Sequence, residues 1–142
     1  MIALGAQLVA DGVLPRAGLV LLIGDLGAGK TTLAKGIAEA RGAAARDEVS
    51  SPTFTLIHEY GEPARLYHID LYRLDEARQV EALGLDEMLA RPGALTLIEW
   101  GERFPELWPA GRTEILIAPD DTGEGRVVRV TTTSGGGTHR SA

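Results

Sequence analysis

The sequence has no cysteine, which excludes a disulfide framework, a thiolate-bound zinc site and a thiol nucleophile. It has no apolar run of about 18 residues, the length a membrane-spanning helix needs, so no membrane partner is expected. The opening stretch MIALGAQLVADG carries Asp11 and no basic segment, so it does not read as a secretory leader, and a cytoplasmic location is expected. Positive charge is scarce: 14 basic residues face 20 acidic ones, a net charge of −6. Tight, unaided binding of nucleic acid needs a basic surface, which this composition does not supply. Lysine is scarcer still, with only Lys30 and Lys35 beside 12 arginines.

What is present suits one globular domain. A chain of 142 residues, 44% of them apolar, can bury a core and excludes disorder of the whole. Residues 1–133 read as a single domain and residues 134–142, rich in Gly and Ser, as a flexible tail. Leu4 and Leu8 suggest a short helix from Ile2 to Gly12. Gly18-Leu19-Val20-Leu21-Leu22-Ile23-Gly24 predicts a central strand buried on both faces. A helix over Lys30–Arg41 follows. Thr53–Tyr60 and Arg65–Ile69 predict a hairpin across Gly61–Ala64. Asp75 is a candidate cap for a helix running to Glu81, and Leu85, Met88 and Leu89 mark another that stops before Pro92-Gly93. Ala94–Ile98 predicts a second buried strand, and Thr113–Ala118 with Arg126–Thr132 a final strand pair. Alternating strands and helices predict an α/β fold, a P-loop NTPase-like three-layer sandwich. Its sheet would be mixed and mostly parallel, with an inserted antiparallel hairpin.

Gly24-Asp25-Leu26-Gly27-Ala28-Gly29-Lys30-Thr31 matches G-x-x-x-x-G-K-[ST] in full, between a buried strand and a helix. A loop that wraps phosphate must aim successive backbone N–H groups inward, and glycine enters those conformations cheaply. The helix that follows turns its positive dipole end to the anion. Lys30 would neutralise the β and γ phosphates, and the Thr31 hydroxyl would meet Mg²⁺. Lys30 is expected to be exposed at the loop mouth.

A second acidic group at a neighbouring strand end is needed for the cation. Glu99 follows Ala-Leu-Thr-Leu-Ile and Asp70 follows Leu-Tyr-His-Ile, both at the rim where open α/β sheets bind ligands. Ser51-Pro52-Thr53-Phe54 could bring a hydroxyl to the γ-phosphate or simply open a strand. His58 and His68 lack a third ligand at metal spacing and read better as hydrogen-bonded core histidines. Trp100 and Trp108 read as packing residues, and Arg73 as the partner of an acid.

The order GDLGAGKTT (24–32), SPTF (51–54), HIDLYRL (68–74), ALGLDEML (82–89) and IEW (98–100) resembles the bacterial TsaE family, formerly called YjeE. HxDxYR and IEW are not general P-loop features. The resemblance covers residues 1–118 and implies an ATPase of tRNA threonylcarbamoyladenosine synthesis, slow alone, with ATP or ADP and Mg²⁺ as ligands. It implies TsaD and TsaB as partners, with tRNA met only through them. By the same resemblance Thr31 and Glu99 hold Mg²⁺. Gly24, Gly27, Ala28, Gly29, Lys30, Thr31, Thr32 and Glu102 bind nucleotide, and Asp70, Lys30 and Thr53 serve hydrolysis. Two other readings of the loop stay open: a small-molecule kinase with residues 75–92 as a lid, and a nucleotide-dependent switch that does not hydrolyse.

Overall fold

The computed structural model describes residues 1–25, 27–43, 57–61, 65–134 and 137–141. Among these, seven strands form one mixed sheet in the order β2-β3-β4-β1-β5-β6-β7. The strands are β1 (Gly18–Ile23), β2 (Ile57–Tyr60), β3 (Leu66–Asp70), β4 (Leu95–Glu99), β5 (Thr113–Pro119), β6 (Arg126–Ser134) and β7 (Gly137–Ser141). The central four, β3, β4, β1 and β5, run parallel. β2 joins as the expected hairpin with β3, and β6 and β7 extend the other edge, all antiparallel. Gly137–Ser141 was expected within a flexible tail; it pairs instead along β6 from Val130 to Ser134.

The buried runs alternate between two cores, as the two-residue period of a strand requires. Val20, Leu22, Leu66, Leu95 and Leu97 meet Leu33 and Ile37 of α2 (Lys30–Ala40) and Leu8 of α1 (Ile2–Ala10). Leu19, Leu21, Ile69 and Ile98 meet Val80 of α3 (Ala77–Glu81), Leu85 of α4 (Leu85–Ala90), Phe104 and Trp108. Three layers result, with helices on both faces. Each fully buried Leu or Ile is worth about 1.5–3 kcal/mol relative to exposure.

α1 crosses α2 through glycine. A Cβ built on Gly36 would strike the Ile2 carbonyl oxygen, and one on Gly5 would lie 2.8 Å from Ile37 N and Leu33 O. Any larger residue would force the helices apart. The α3 start also differs from expectation: Glu76, not Asp75, is the N-cap, and the Gln79 side chain accepts from the backbone N–H groups of both residues. Residues 75–92 are not a free-standing lid, because Val80 and Leu85 are buried in the second core. Gly101, at the start of a short 3-10 turn, is buried so closely that an added Cβ would lie 2.7 Å from Leu21.

Candidate functional site

The register of the parallel strands brings their C-terminal ends level. Leu22 of β1 pairs with Glu99 of β4, and Glu99 pairs with Asp70 of β3. The loop after β1 therefore opens beside two acids that end core strands. Both acids are the last residues of their strands rather than the first beyond them.

The loop has the conformation its glycines permit. Gly27 and Gly29 have φ of 81° and 109°, where a side chain would be strained, and Gly29 is the N-cap of α2. Ala28 N–H donates to Asp25 O at 2.9 Å, which tightens the turn. Lys30 then begins the helix, with Thr31 half-buried and Thr32 exposed on the side toward α1.

Lys30 is not exposed, as the sequence suggested, but only 4% accessible. Its ammonium donates to Gly24 O at 2.7 Å and lies 3.4 Å from the Trp100 ring centroid. A cation that close to an aromatic face is held by the ring quadrupole. Burial pulls the Lys30 pKa below its ordinary value, and the carboxylates of Glu102, Glu99, Asp70 and Asp25 oppose that shift. The lysine is thus folded back on its own loop, where a phosphate would have to compete with a carbonyl and a ring for it.

Trp100 holds this place by an unusual backbone. Among the described residues it is the one non-glycine residue with positive φ, at 68°. The left-handed conformation costs an L residue about 1–2 kcal/mol, so the surroundings must hold it. The Tyr72 ring packs at a tilt against the indole, centroids 5.2 Å apart, and the Arg103 guanidinium lies 5.0 Å from it while donating to Tyr72 O at 2.6 Å. The sequence reads Trp100 as packing and Arg73 as the partner of an acid, and singles out no role for Arg103. Trp100 and Arg103 share one 3-10 turn, but Tyr72 joins them only through the β3–β4 register, which no sequence spacing gives.

Thr31 Oγ1 lies 3.2 and 3.4 Å from the two oxygens of Glu99. Hydroxyl and carboxylate are the hard oxygen donors that Mg²⁺ takes, and Mg²⁺ needs only one or two protein ligands beside phosphate. Among the described residues no group of three His, Asp or Glu forms a metal cage of its own. Glu99, nearly buried, also meets His68 Nε2 at 2.6 Å. Asp70 is buried and accepts from Tyr72 N–H at 2.8 Å. His58 lies opposite His68 across the β2–β3 pair, with its Nδ1 3.2 Å from Tyr60 Oη; burial first, and His68 second, lower its pKa. Thr53, with the rest of 51–54, lies outside the described residues.

Beside the loop a cleft of about 440 Å³ runs from Gly24, Gly27 and Ala28 to Ile117, Pro119 and Arg126, with Trp100 and Glu102 on its wall. That volume suits a small organic ligand. Glu102 Oε1 is buried there without a hydrogen-bond partner among the described residues.

Residues 1–128 match the family model described as threonylcarbamoyl adenosine biosynthesis protein TsaE. A tRNA threonylcarbamoyladenosine biosynthesis protein TsaE of Bacillus subtilis is 45% identical over 109 residues, which are 75% of this chain and 66% of the relative. One of Nostoc is 42% identical over 126 residues, 86% of this chain and 72% of the relative. The chain thus spans slightly less than two thirds of the Bacillus relative and somewhat more of the Nostoc one. The crystal structure of Bacillus subtilis YdiB superposes with a TM-score of 0.66 at 34% identity, covering 94% of this chain and 79% of that one.

Proposed function

The chain belongs to the TsaE family, and from that premise we propose that it is the ATP-binding component of tRNA threonylcarbamoyladenosine synthesis. In this reading it binds ATP or ADP with Mg²⁺, hydrolyses ATP slowly and acts with TsaD and TsaB in the cytoplasm. It meets tRNA only through them, in keeping with a net charge of −6. Among the described residues no helix is long and apolar enough to cross a membrane.

One observation carries the reading. A phosphate-loop hydroxyl, Thr31, and a strand-end carboxylate, Glu99, lie 3.2 Å apart although 68 residues separate them in sequence. The loop N–H groups and the α2 N-terminus offer the anion site. Thr31 and Glu99 would hold Mg²⁺, which would supply charge neutralisation at the phosphates. Lys30 would leave Gly24 O and the Trp100 face to meet phosphate. Asp70, level with Glu99, would orient a water for attack. Thr53 would add a hydroxyl to the γ-phosphate, and Thr32, with the Glu102 wall of the cleft, would complete the nucleotide contacts.

Slow intrinsic turnover follows from the arginines. Arg103 is engaged by Tyr72 O and by two rings. A transferring phosphoryl group that no arginine neutralises would forgo about 10³–10⁵-fold in rate. The kinase reading loses its lid, since residues 75–92 pack into the core.

The test is steady-state phosphate release by the chain alone and with saturating TsaD and TsaB. Acceleration in the mixture is expected. Equal rates would remove partner activation, and phosphate transfer to small hydroxyl compounds would restore the kinase.

A further inference from the structure

We propose that His68 is a positioning residue for Glu99: its imidazole fixes the orientation in which that carboxylate meets Thr31 and the cation. The proposal rests on the Mg²⁺–nucleotide reading above and deepens it.

His68 is the middle residue of β3 and is 0% exposed. β3 lies parallel to β4, and the strand period puts His68 on the face of Leu66, the α2 face that Glu99 shares with Leu95 and Leu97. Its Nε2 is 2.6 Å from Glu99 Oε2, a charge-assisted length. To hold a cation Glu99 must be a carboxylate, which only accepts, so Nε2 is the nitrogen that carries the proton.

The geometry separates the roles of the two neighbours of Glu99. Thr31 Oγ1 is nearly equidistant from both carboxylate oxygens, so it does not choose between them. His68 contacts one, Oε2. A glutamate has three side-chain torsions, and a rigid donor buried in a strand removes that freedom at the oxygen it grips. The other ring nitrogen supports the same reading. His68 Nδ1 is buried with no partner among the described residues, a cost that a leucine at this position would not carry. What histidine gives in exchange is the Nε2–H aimed at Glu99. Hydrogen-bonding partners of a metal-ligating carboxylate typically change metal affinity by about 10–100-fold when removed.

The experiment compares the full chain with His68→Leu, His68→Asn and His68→Gln by calorimetric titration of ADP, with Mg²⁺ and with EDTA. The readout is the ratio of the two affinities, the gain due to Mg²⁺. In His68→Leu that gain should fall at least about tenfold while the affinity in EDTA stays at the wild-type value. His68→Asn, too short to reach Glu99, should behave alike and serves if the leucine variant does not fold. His68→Gln places an amide donor near the Nε2 position and should restore most of the gain. A wild-type gain in His68→Leu or His68→Asn overturns the proposal, and so does an equal loss in His68→Gln. If the unaltered chain itself gains nothing from Mg²⁺, the nucleotide–metal reading falls and takes this one with it.

Discussion

On one face of the sheet two helices cross with backbone against backbone; on the other, two helices of five and six residues and a pair of 3-10 turns cover the strands. The chemistry sits with the first face. Lys30 and Thr31 belong to α2, and His68, Asp70 and Glu99 occupy the strand positions that share its side. The second face buries Leu, Ile, Val, Phe and Trp. It reaches into the site at the turn after β4, where Trp100 bends over Lys30. Close helix packing thus supports the groups that must hold sub-ångström geometry. The looser layer supplies the aromatic cover that ligand binding would displace.

If that contrast is real, the largest effect should come from wedging the close face apart. In Gly36→Ala the new methyl meets the Ile2 backbone, which cannot turn aside as a side chain could. A loss of about 3 kcal/mol is expected, the upper end for overpacking. Denaturant unfolding measures it. Gly5→Ala wedges the same crossing, so the double variant should lose less than the two single losses combined. Additive losses would mean that the glycines do not share one contact.

Lys30→Ala asks what the close face is for. The variant loses a buried cation and should bind ATP about 10–100-fold more weakly, since a hydrogen bond to a charged group is worth about 1.5–3 kcal/mol. Calorimetry reads the affinity. The removal also leaves the Trp100 face unoccupied, so indole fluorescence should change without nucleotide. An affinity equal to the wild type would detach the loop from phosphate binding.

Much of this was legible in the sequence. GDLGAGKT named the loop, the glycine-bounded run 18–24 named β1, and the hairpin of β2 with β3 followed from two strand patterns and a turn. Position along the chain named Asp70 and Glu99 as rim acids. What stayed hidden is what needs two distant segments at once. The burial of Lys30 depends on the left-handed turn at Trp100, which no propensity favours in a tryptophan. The His68–Glu99 contact depends on the β3–β4 register. The pairing of Gly137–Ser141 with β6 defied a composition that reads as linker.

Trp108→Phe probes the looser face. Trp108 Nε1 donates to Gly101 O at 2.7 Å, and the indole is 7% exposed. Phenylalanine keeps most of the apolar bulk but removes this bond, leaving Gly101 O to the Phe104 N–H at 3.0 Å, at a cost of about 0.5–1.5 kcal/mol. Because Gly101 adjoins Trp100, nucleotide affinity should shift as well, by a few-fold. A stability loss with no change in affinity would show that the turn after β4 is held at Trp100 alone.

The smallest effect should come from the β5–β6 turn, where neither helical layer reaches. Asp120 Oδ1 accepts from the Thr122 hydroxyl at 2.6 Å and from the N–H groups of Thr122 and Gly123, each at 3.0 Å. The Thr122 hydroxyl leads in lowering the Asp120 pKa below its usual 3.8; desolvation opposes it, and the backbone N–H groups of Gly125, Thr122 and Gly123 add to the lowering. These bonds favour the charged form, so the folded pKa lies below the unfolded one. The stability they contribute is present above pH 3.8 and fades as pH falls through the folded value. Asp120→Ala should therefore melt slightly below the wild type at neutral pH, and the gap should narrow in acid. Melting curves recorded from pH 7 down to pH 3 decide it. A gap that held constant to the lowest pH would mean that the turn bonds the neutral acid as well as the carboxylate. A gap as large as that of Trp108→Phe would mean that this exposed turn carries as much stability as the packing of the looser face.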